Sequence, residues 1–326
     1  MTDAAGTGTW SCVEGGALEV VACPVCAETG CSAVLRRPDG LDIVACRDCG
    51  LYYVNPQPTQ EALAAYYAGG YFEGEHDFYR GRSYFESRLE GLNAGSLTGW
   101  DFVRGRCGDL SGKVFMDLGC ASGEMLVLAR NSGAAAVRGI ELDDKAANHG
   151  RSAYGLDIRI GTIESELHEE GSVDVITAFD VVEHLKAPLL AFQRIAAALR
   201  PGGQFLCGTP NGACIERWGA EWIGAGKDFE HLLFPRAADL RRIAGSVGLE
   251  LVHHETRDNP LPMREYAPGG DRAARLCRQP DVVVHNARQK LRLRFAGSGC
   301  AHTLYAALRK PGQPGADARA KVPGTP

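Results

Sequence analysis

One stretch, residues 114–126, constrains the fold more than any other, because an apolar run there breaks into glycines and then resumes with helical character. The run Val-Phe-Met-Asp-Leu predicts a buried strand whose carboxyl end carries Asp117. Gly119 and Gly123 allow a tight turn where the backbone can approach a ligand, and Ser122 is placed to cap the following helix. The sequence therefore predicts a ligand site on this turn.

Strand-like and helix-like segments alternate from this turn onward. Their order predicts βαβ crossovers and a mainly parallel α/β sheet covered by helices on both faces. A last strand is expected at 302–310, after an insertion at 255–300 that breaks the alternation. The other expected strands are 114–118, 136–141, 157–161, 173–179, 203–208 and 249–254, and the expected helices are 122–132, 143–153, 187–199 and 236–247.

The composition narrows the class of partner. The chain has 326 residues, is 45% hydrophobic and carries a formal net charge of −5. Its length allows one large core and a small accessory domain. No apolar run reaches the length of a membrane span, and Met1–Gly16 lacks the features of a signal peptide, so the expected location is the cytoplasm. The negative charge gives no footprint for nucleic acid. The expected partner is a small molecule, with neither nucleic acid nor a membrane, and the oligomeric state stays open.

Four of the twelve cysteines stand at the spacing of a metal site. Nineteen residues separate the pair Cys23 and Cys26 from the pair Cys46 and Cys49. A hairpin over residues 33–45 can bring the four thiolates together on one tetrahedral Zn²⁺. Four sulfur ligands leave no open coordination position, so a structural ion is expected, whose binding supplies folding energy that so short a segment cannot take from a core. An iron centre or a redox pair is the alternative.

The chain is expected to divide into five parts. Thr59 is placed to cap a helix that carries Leu63, Tyr66 and Tyr67 on one face. The aromatic residues that follow predict a helical bridge packed over the main domain. The parts are a flexible tail at 1–16, a zinc ribbon at 17–55, a helical bridge or lid at 56–110, the main α/β domain with its insertion at 111–310 and a disordered tail at 311–326.

Two further strand ends carry groups suited to a nucleoside. The strand expected at 136–141 ends in Glu141, whose carboxylate can accept both ribose hydroxyls. Thr162 and Ile163 follow the next strand, where an adenine ring would be sandwiched under Ile163. The first turn lacks the middle glycine of the dinucleotide pattern Gly-x-Gly-x-x-Gly, so a cofactor without a diphosphate is expected.

These blocks together resemble class I S-adenosylmethionine-dependent methyltransferases, in which apolar residues lead into Asp-x-Gly-x-x-x-Gly. Residues 113–254 are similar to the UbiE/UbiG-like group, and the cysteine pairs together with Phe229-Glu-His-Leu-Leu-Phe-Pro235 are similar to the zinc-ribbon subset that includes deoxysugar C-methyltransferases. The resemblance implies a Rossmann-like seven-stranded mainly parallel sheet behind an N-terminal four-cysteine zinc ribbon, with S-adenosylmethionine and a structural Zn²⁺ as cofactors. The cofactor-binding residues it implies are Asp117, Gly119, Cys120, Ala121, Gly123, Met125, Glu141, Leu142, Thr162, Ile163, Asp180 and Val181.

Glu230 and His231 are the first candidates for catalysis. Methyl transfer from a sulfonium is a direct displacement, so the protein must align the reactants and take a proton from a hydroxyl or a carbon acid. Histidine has the pKa that suits such a base. The resemblance to sugar C-methyltransferases implies that Glu230 and His231 bind the substrate and act as the base. Asp228 stands where those enzymes have a tyrosine, which counts against a sugar substrate and C-methylation.

Glu183 and His184 are the second candidates. In ubiquinone-type O-methyltransferases an acidic residue, followed three places on by Glu-His, can hold a divalent cation beside the acceptor oxygens. Asp180, Glu183 and His184 match that spacing on one helical turn. The alternative, which the sequence analysis favours, is a hydrogen-bonded shelf under the methionine moiety.

Three functions follow from these residues. The first is methylation, on carbon or oxygen, of a sugar nucleotide or a natural-product intermediate, with His231 as the general base. The second is metal-assisted O-methylation of a phenolic or lipid acceptor through Asp180, Glu183 and His184. The third is a non-catalytic scaffold that binds the cofactor.

Overall fold

The computed structural model describes residues 17–37, 39–68, 84–95, 97–219, 222, 224, 229–257 and 301–312. The expected N-terminal tail, the aromatic residues 71–83, Asp228 and nearly all of the expected insertion and C-terminal tail lie outside the described residues. Within the described ranges, no helix combines the length and the apolar character that a bilayer span requires.

The main sheet confirms the predicted fold class. Its seven strands lie in the order β12-β13-β10-β9-β6-β7-β8, and the five from β10 to β8 are parallel to one another. Strand β13 is antiparallel to both of its neighbours. The bounds are β6 Val114–Leu118, β7 Ala136–Glu141, β8 Asp157–Ile160, β9 Val173–Phe179, β10 Leu199–Pro210, β12 Glu250–Arg257 and β13 Thr303–Arg309.

Neighbouring residues of a strand point to opposite faces of the sheet, and helices cover both of these faces. Phe115 and Val175 belong to one core cluster, whereas Met116 and Ile176 belong to the other. The first cluster also contains buried residues of α3 (Trp100–Cys107), α4 (Glu124–Asn131) and α5 (Asp144–Tyr154). The second cluster contains buried residues of α7 (Pro188–Ala198) and α9 (Ala237–Ser246). The remaining described α-helices are α1 Gln60–Ala68, α2 Tyr84–Ala94, α6 Ile163–Glu166 and α8 Ala213–Trp218, and a short 3-10 helix spans Val182–His184.

The N-terminal segment forms a second sheet that the main domain completes. Strands β2 (Cys31–Arg36) and β3 (Asp42–Cys46) form the expected hairpin, and β4 (Tyr52–Val54) extends it. Strand β11 (Leu233–Phe234) then pairs with β4, so the sheet order is β11-β4-β3-β2. Two-residue strands β1 (Leu18–Glu19) and β5 (Gln57–Pro58) pair nearby. The cysteine-bearing hairpin is therefore joined by backbone hydrogen bonds to the loop that contains His231.

The first turn of α4 differs from the prediction. Ser122 was expected to cap the helix, but Gly123 occupies the N-cap position with φ of 84° and makes no side-chain cap. The hydroxyl of Ser122 instead donates to the carboxylate of Glu124. The prediction was wrong because α4 begins at Glu124, which makes Gly123 the N-cap and leaves Ser122 outside the helix. By contrast, Thr59 caps α1 as expected, accepting a hydrogen bond from the backbone of Ala62 at 3.2 Å.

Candidate functional site

A cavity of about 830 Å³ opens at the carboxyl ends of the central parallel strands. The chain runs from β6 through β7 to β8 on one side and returns through β9 and β10 on the other, so the strand order reverses between β6 and β9. Ligands of open α/β sheets bind at such a reversal. The cavity lining includes Asp117, Glu141, Ile163, Asp180 and His184, which come from the ends of four strands and the segments after them.

The glycine turn after β6 forms one wall of the cavity. Gly119 and Gly123 have φ of 67° and 84°, and Ala121 between them has φ of 49°. A Cβ atom on Gly119 would lie 2.5 Å from Cγ2 of Val181, so the close approach of the two segments requires glycine there. The prediction that this turn faces a ligand site is consistent with the cavity lining, which includes Gly119 and Ala121.

Glu141 holds the turn from the neighbouring strand. Its carboxylate accepts hydrogen bonds from the backbone N–H of Ala121 at 2.7 Å and of Asp143 at 2.9 Å. The side chain is buried, and burial raises the pKa of the carboxyl group although these hydrogen bonds oppose the shift. One carboxylate therefore both fixes the glycine turn and presents a charge to the cavity.

Asp117 lies beside the turn in a similar environment. The hydroxyl of Thr177 donates to its carboxylate at 2.6 Å. Burial raises the pKa of Asp117 to about 7, while that hydrogen bond and the charge of Arg88 act in the opposite direction. The group is therefore poised to change its charge near neutral pH, and a cation in the cavity would favour its ionised form.

Arg88 is a cavity residue that the sequence analysis missed. It comes from α2 and lines the cavity, where its Nε donates to the carboxylate of Glu124 at 3.3 Å. It brings a positive charge to a wall that otherwise carries Asp117 and Glu141, which suits a ligand with a carboxylate of its own. No local motif marks this arginine, because only the packing of α2 against α4 brings it to the site.

His184 faces the cavity, and His231 packs behind it. The centroids of the two rings are 4.9 Å apart, and the rings are in a T-shaped arrangement. Tyr67 completes the group, with its hydroxyl 3.4 Å from Nδ1 of His184. Burial lowers the pKa of His184 to about 4, although hydrogen bonds to the backbone of Glu230 and Asp180 oppose the shift. Burial and the nearby His184 and Arg37 also lower the pKa of His231 well below its usual value.

The structure brings most of the sequence-predicted residues to one cavity. Those that line it are Asp117, Gly119, Ala121, Met125, Glu141, Leu142, Thr162, Ile163, Asp180, Val181 and His184. Cys120 and Gly123 lie in the turn itself. Glu183, Glu230 and His231 stand behind the lining, and Glu183 accepts a hydrogen bond from the hydroxyl of Thr209 at 2.8 Å. The sequence analysis named His231 as the general base, whereas His184 is the histidine that lines the cavity.

Among the residues that the structure describes, two groups of side chains have ligand atoms close enough for a metal ion. The thiols of Cys23, Cys26, Cys46 and Cys49 all lie within 4.8 Å of one another. Burial would oppose ionisation of Cys46, but hydrogen bonds from the backbone of Cys49 and Asp48 lower its pKa. Four thiols in this arrangement fit a tetrahedral Zn²⁺.

The second group consists of Glu183, His184 and His231, whose ligand atoms also lie within 4.8 Å of one another. Asp180, which the sequence analysis placed in a metal site with Glu183 and His184, is not part of this group of described residues. It lies on the cavity wall with φ of 56°.

Residues 101–254 match a family model described as a methyltransferase domain. Among curated proteins, a ubiquinone biosynthesis O-methyltransferase from Cupriavidus pinatubonensis is 32% identical over 158 residues, which are 44% of this chain and 62% of that protein. A probable S-adenosylmethionine-dependent methyltransferase from Mycolicibacterium smegmatis is 34% identical over 102 residues, 31% of this chain and 39% of that protein. The match thus spans less than two thirds of either relative.

Among solved structures, an S-adenosylmethionine-dependent methyltransferase from Mesorhizobium loti is similar to this chain. It is 16% identical, with a TM-score of 0.48, and the match covers 67% of this chain and 100% of that one.

Proposed function

Because residues 101–254 match a family model described as a methyltransferase domain, we propose that the chain transfers a methyl group from S-adenosylmethionine to a hydroxyl of a small molecule. The observation that carries the proposal is the cavity at the reversal of strand order, where the glycine turn, Asp117 and Glu141 meet. It lies where an open α/β sheet binds its ligands.

The cavity residues fit this cofactor. Glu141, already fixed by two backbone hydrogen bonds, is suited to accept from ribose hydroxyls, and Ile163 supplies an apolar surface for the adenine ring. Asp117 and Arg88 have the opposite charges needed for the ammonium and carboxylate of an amino acid. Gly119 lets the turn pack closely against Val181, and both residues line the cavity. When bound, the cofactor supplies a methyl group that is electrophilic because its sulfur is cationic.

The histidine pair is suited to take the proton that a hydroxyl acceptor loses. His184 lines the cavity, and burial lowers the pKa of its imidazole to about 4, so the ring is neutral at pH 7 and free to accept a proton, while the same shift makes it a weaker base than an ordinary histidine. The backbone carbonyls of Glu230 and Asp180 stabilise the ring once it is protonated. His231, which the sequence analysis proposed as the base, packs against His184 and completes the pair. We therefore assign base catalysis to the pair, with His184 next to the acceptor.

The acceptor is the less constrained part of the proposal. A hydroxyl is supported by the O-methyltransferase from Cupriavidus pinatubonensis, whose name refers to ubiquinone biosynthesis. Asp228, in place of the tyrosine of the sugar enzymes, argues in the same direction. A sugar nucleotide or another natural-product intermediate is the alternative acceptor that the cysteine pairs and Glu230-His231 favour. A metal-assisted reaction is the alternative mechanism, and the proximity of Glu183, His184 and His231 supports that set of ligands.

Calorimetric titration with S-adenosylmethionine and with its demethylated product tests the cofactor assignment. Charge-assisted hydrogen bonds contribute about 1.5–3 kcal/mol, so we expect Glu141→Gln to weaken binding roughly tenfold to a hundredfold. Asp157→Asn, which changes an exposed carboxylate at the start of the neighbouring strand, should bind as the parent does. A parent protein that binds neither compound would refute the proposal.

Transfer of a labelled methyl group to catechols and to nucleotide sugars then separates the acceptor classes. If activity lost on chelation returns with Mg²⁺ and not with Zn²⁺, the metal-assisted mechanism is supported. Tight cofactor binding without transfer to any hydroxyl or carbon acid tried would favour the non-catalytic scaffold.

Cofactor affinity should depend on pH through Asp117. Its raised pKa of about 7 means that the carboxyl group is protonated in more acidic solution. A cationic ligand favours the carboxylate, so we expect the Kd for S-adenosylmethionine to fall about tenfold per unit from pH 5 to 7 and then level off. Titrations over this range check the prediction. Asp117→Asn should remove the dependence, and an equally flat profile in the parent would contradict it.

We also propose that the four cysteines hold one structural Zn²⁺. The support is the mutual proximity of their sulfur atoms. The Sγ atoms of Cys23 and Cys49 are 3.5 Å apart, and those of Cys26 and Cys46 are 3.4 Å apart. The backbone N–H of Cys49 donates to the sulfur of Cys46, which favours its ionised form.

A further inference from the structure

A buried arginine of the cysteine-bearing hairpin reaches the loop behind the cavity. The side chain of Arg37 is 1% exposed, and its Nη1 donates to the backbone carbonyl of His231 at 2.7 Å. The two residues are 194 positions apart in the sequence. This bond therefore joins the ribbon to the histidine pair directly.

The guanidinium is held in place from its other side. Its Nε donates to Oδ1 of Asp39 at 3.1 Å, and Nη2 donates to the second carboxylate oxygen. Asp39 also accepts from the backbone N–H of Leu41 at 3.1 Å, and the backbone of Arg37 donates to the carbonyl of Leu41 at 2.8 Å. A bidentate ion pair anchored in a tight turn restricts the guanidinium to one orientation.

The segment 230–232, which Arg37 holds through the His231 carbonyl, also contacts His184. The carbonyl of Glu230, one residue before His231, accepts from the His184 ring. On the other side, the N–H of Leu232 donates to the carbonyl of Glu183 at 2.7 Å, and its own carbonyl accepts from Val54 of β4 at 2.9 Å. Residues 230–232 are thus bonded to the ribbon on one side and to the turn that carries His184 on the other.

We propose that Arg37 is a positioning residue for the His184–His231 pair, so that the ribbon is part of the catalytic centre. The inference rests on the proposed function, in which this pair takes the acceptor's proton. Displacing a catalytic group by about 1 Å can cost a hundredfold in rate, so loss of the Arg37 bond is expected to lower kcat roughly a hundredfold. The cofactor Kd should not change, because Arg37 does not line the cavity.

The test uses the full-length, zinc-loaded protein with the double substitution Arg37→Met and Asp39→Leu. Removing both members of a buried ion pair avoids leaving an uncompensated charge, so the fold is expected to survive. Imidazole resonances of ¹⁵N-histidine-labelled protein report on the pair without any acceptor, and His184→Gln assigns the His184 signals. We expect those signals to shift or broaden, together with the roughly hundredfold fall in kcat and an unchanged Kd for S-adenosylmethionine.

Arg36→Met is the matched control. Arg36 precedes Arg37 on the same hairpin, but its side chain is 67% exposed and pairs with Asp42. It should retain the parental histidine signals and kcat. Parental His184 signals in a folded double variant would overturn the proposal, even if no acceptor is known. Should the double variant not fold, Arg37→Gln with Asp39→Asn takes its place, since this neutral pair removes both buried charges and the shorter glutamine amide lacks the guanidinium fork that binds Asp39 and the His231 carbonyl together. Unchanged signals in that variant would overturn the proposal equally.

Discussion

Serine in place of Cys46 is expected to cost the protein its zinc ion and the order of the ribbon. Structural zinc contributes roughly 10–16 kcal/mol in small zinc-dependent domains, which is as much as the whole unfolding free energy of an ordinary domain. Strand β2 is mostly exposed and buries little apolar surface of its own, so we expect the metal to supply much of the stability of this strand. Metal analysis should give one zinc per chain in the parent and none in the variant.

The effect should extend beyond the ribbon, because β11 of the main domain pairs with β4. Hydrogen exchange at Leu233 and Phe234 is expected to accelerate in the Cys46→Ser variant. Cys31→Ser is the matched control, since Cys31 lies on the same hairpin but outside the group of four sulfurs, and it should keep the zinc and the slow exchange. A Cys46→Ser protein with parental zinc content, or with unchanged exchange in β11, would contradict the assignment.

Glutamine in place of His184 is expected to lower kcat about 10²- to 10⁴-fold, which is the usual contribution of a general base. His231→Gln should have an effect in the same range, because the two rings contact each other and we propose that they act together as the base. Neither substitution should change the Kd for S-adenosylmethionine more than a fewfold, since Glu141 and the glycine turn are untouched. Single-turnover rates and calorimetric titration separate the two quantities.

His168→Gln is the matched control for these variants, because His168 is exposed and does not line the cavity. It should retain the parental rate. Parental turnover in the His184→Gln protein would refute base catalysis by the pair while leaving the cofactor assignment intact. Loss of activity in His231→Gln alone would restore the original interpretation, in which His231 is the base.

The sequence was most informative where the chemistry is local. Asp117, Gly119 and Glu141 could be found because each stands at the end of a strand whose apolar pattern is readable, and parallel strands bring their carboxyl ends to one edge. The cysteine pairs were equally readable, since a metal site of this kind depends on short spacings. The alternation of strands and helices, in turn, predicted the mainly parallel sheet that the structure contains.

The sequence was least informative where a contact joins distant segments. The T-shaped pairing of His184 with His231 joins residues that lie 47 positions apart, and no pattern in either segment announces it. Arg88 reaches the cavity only through the packing of α2. The wrong capping prediction at Ser122 has a local cause. Gly123, with its positive φ, takes the N-cap position in place of the serine before it.

The sequence by itself determined the fold class, the glycine turn and the four-cysteine spacing, because these depend on residue periodicity and on short separations along the chain. Only the tertiary structure decided that His184 faces the cavity with His231 behind it, and that the ribbon shares a sheet and the Arg37 hydrogen bond with the loop of His231. The physical reason is that such contacts form when strands 180 residues apart pair, and pairing between distant strands is set by the packing of the whole domain.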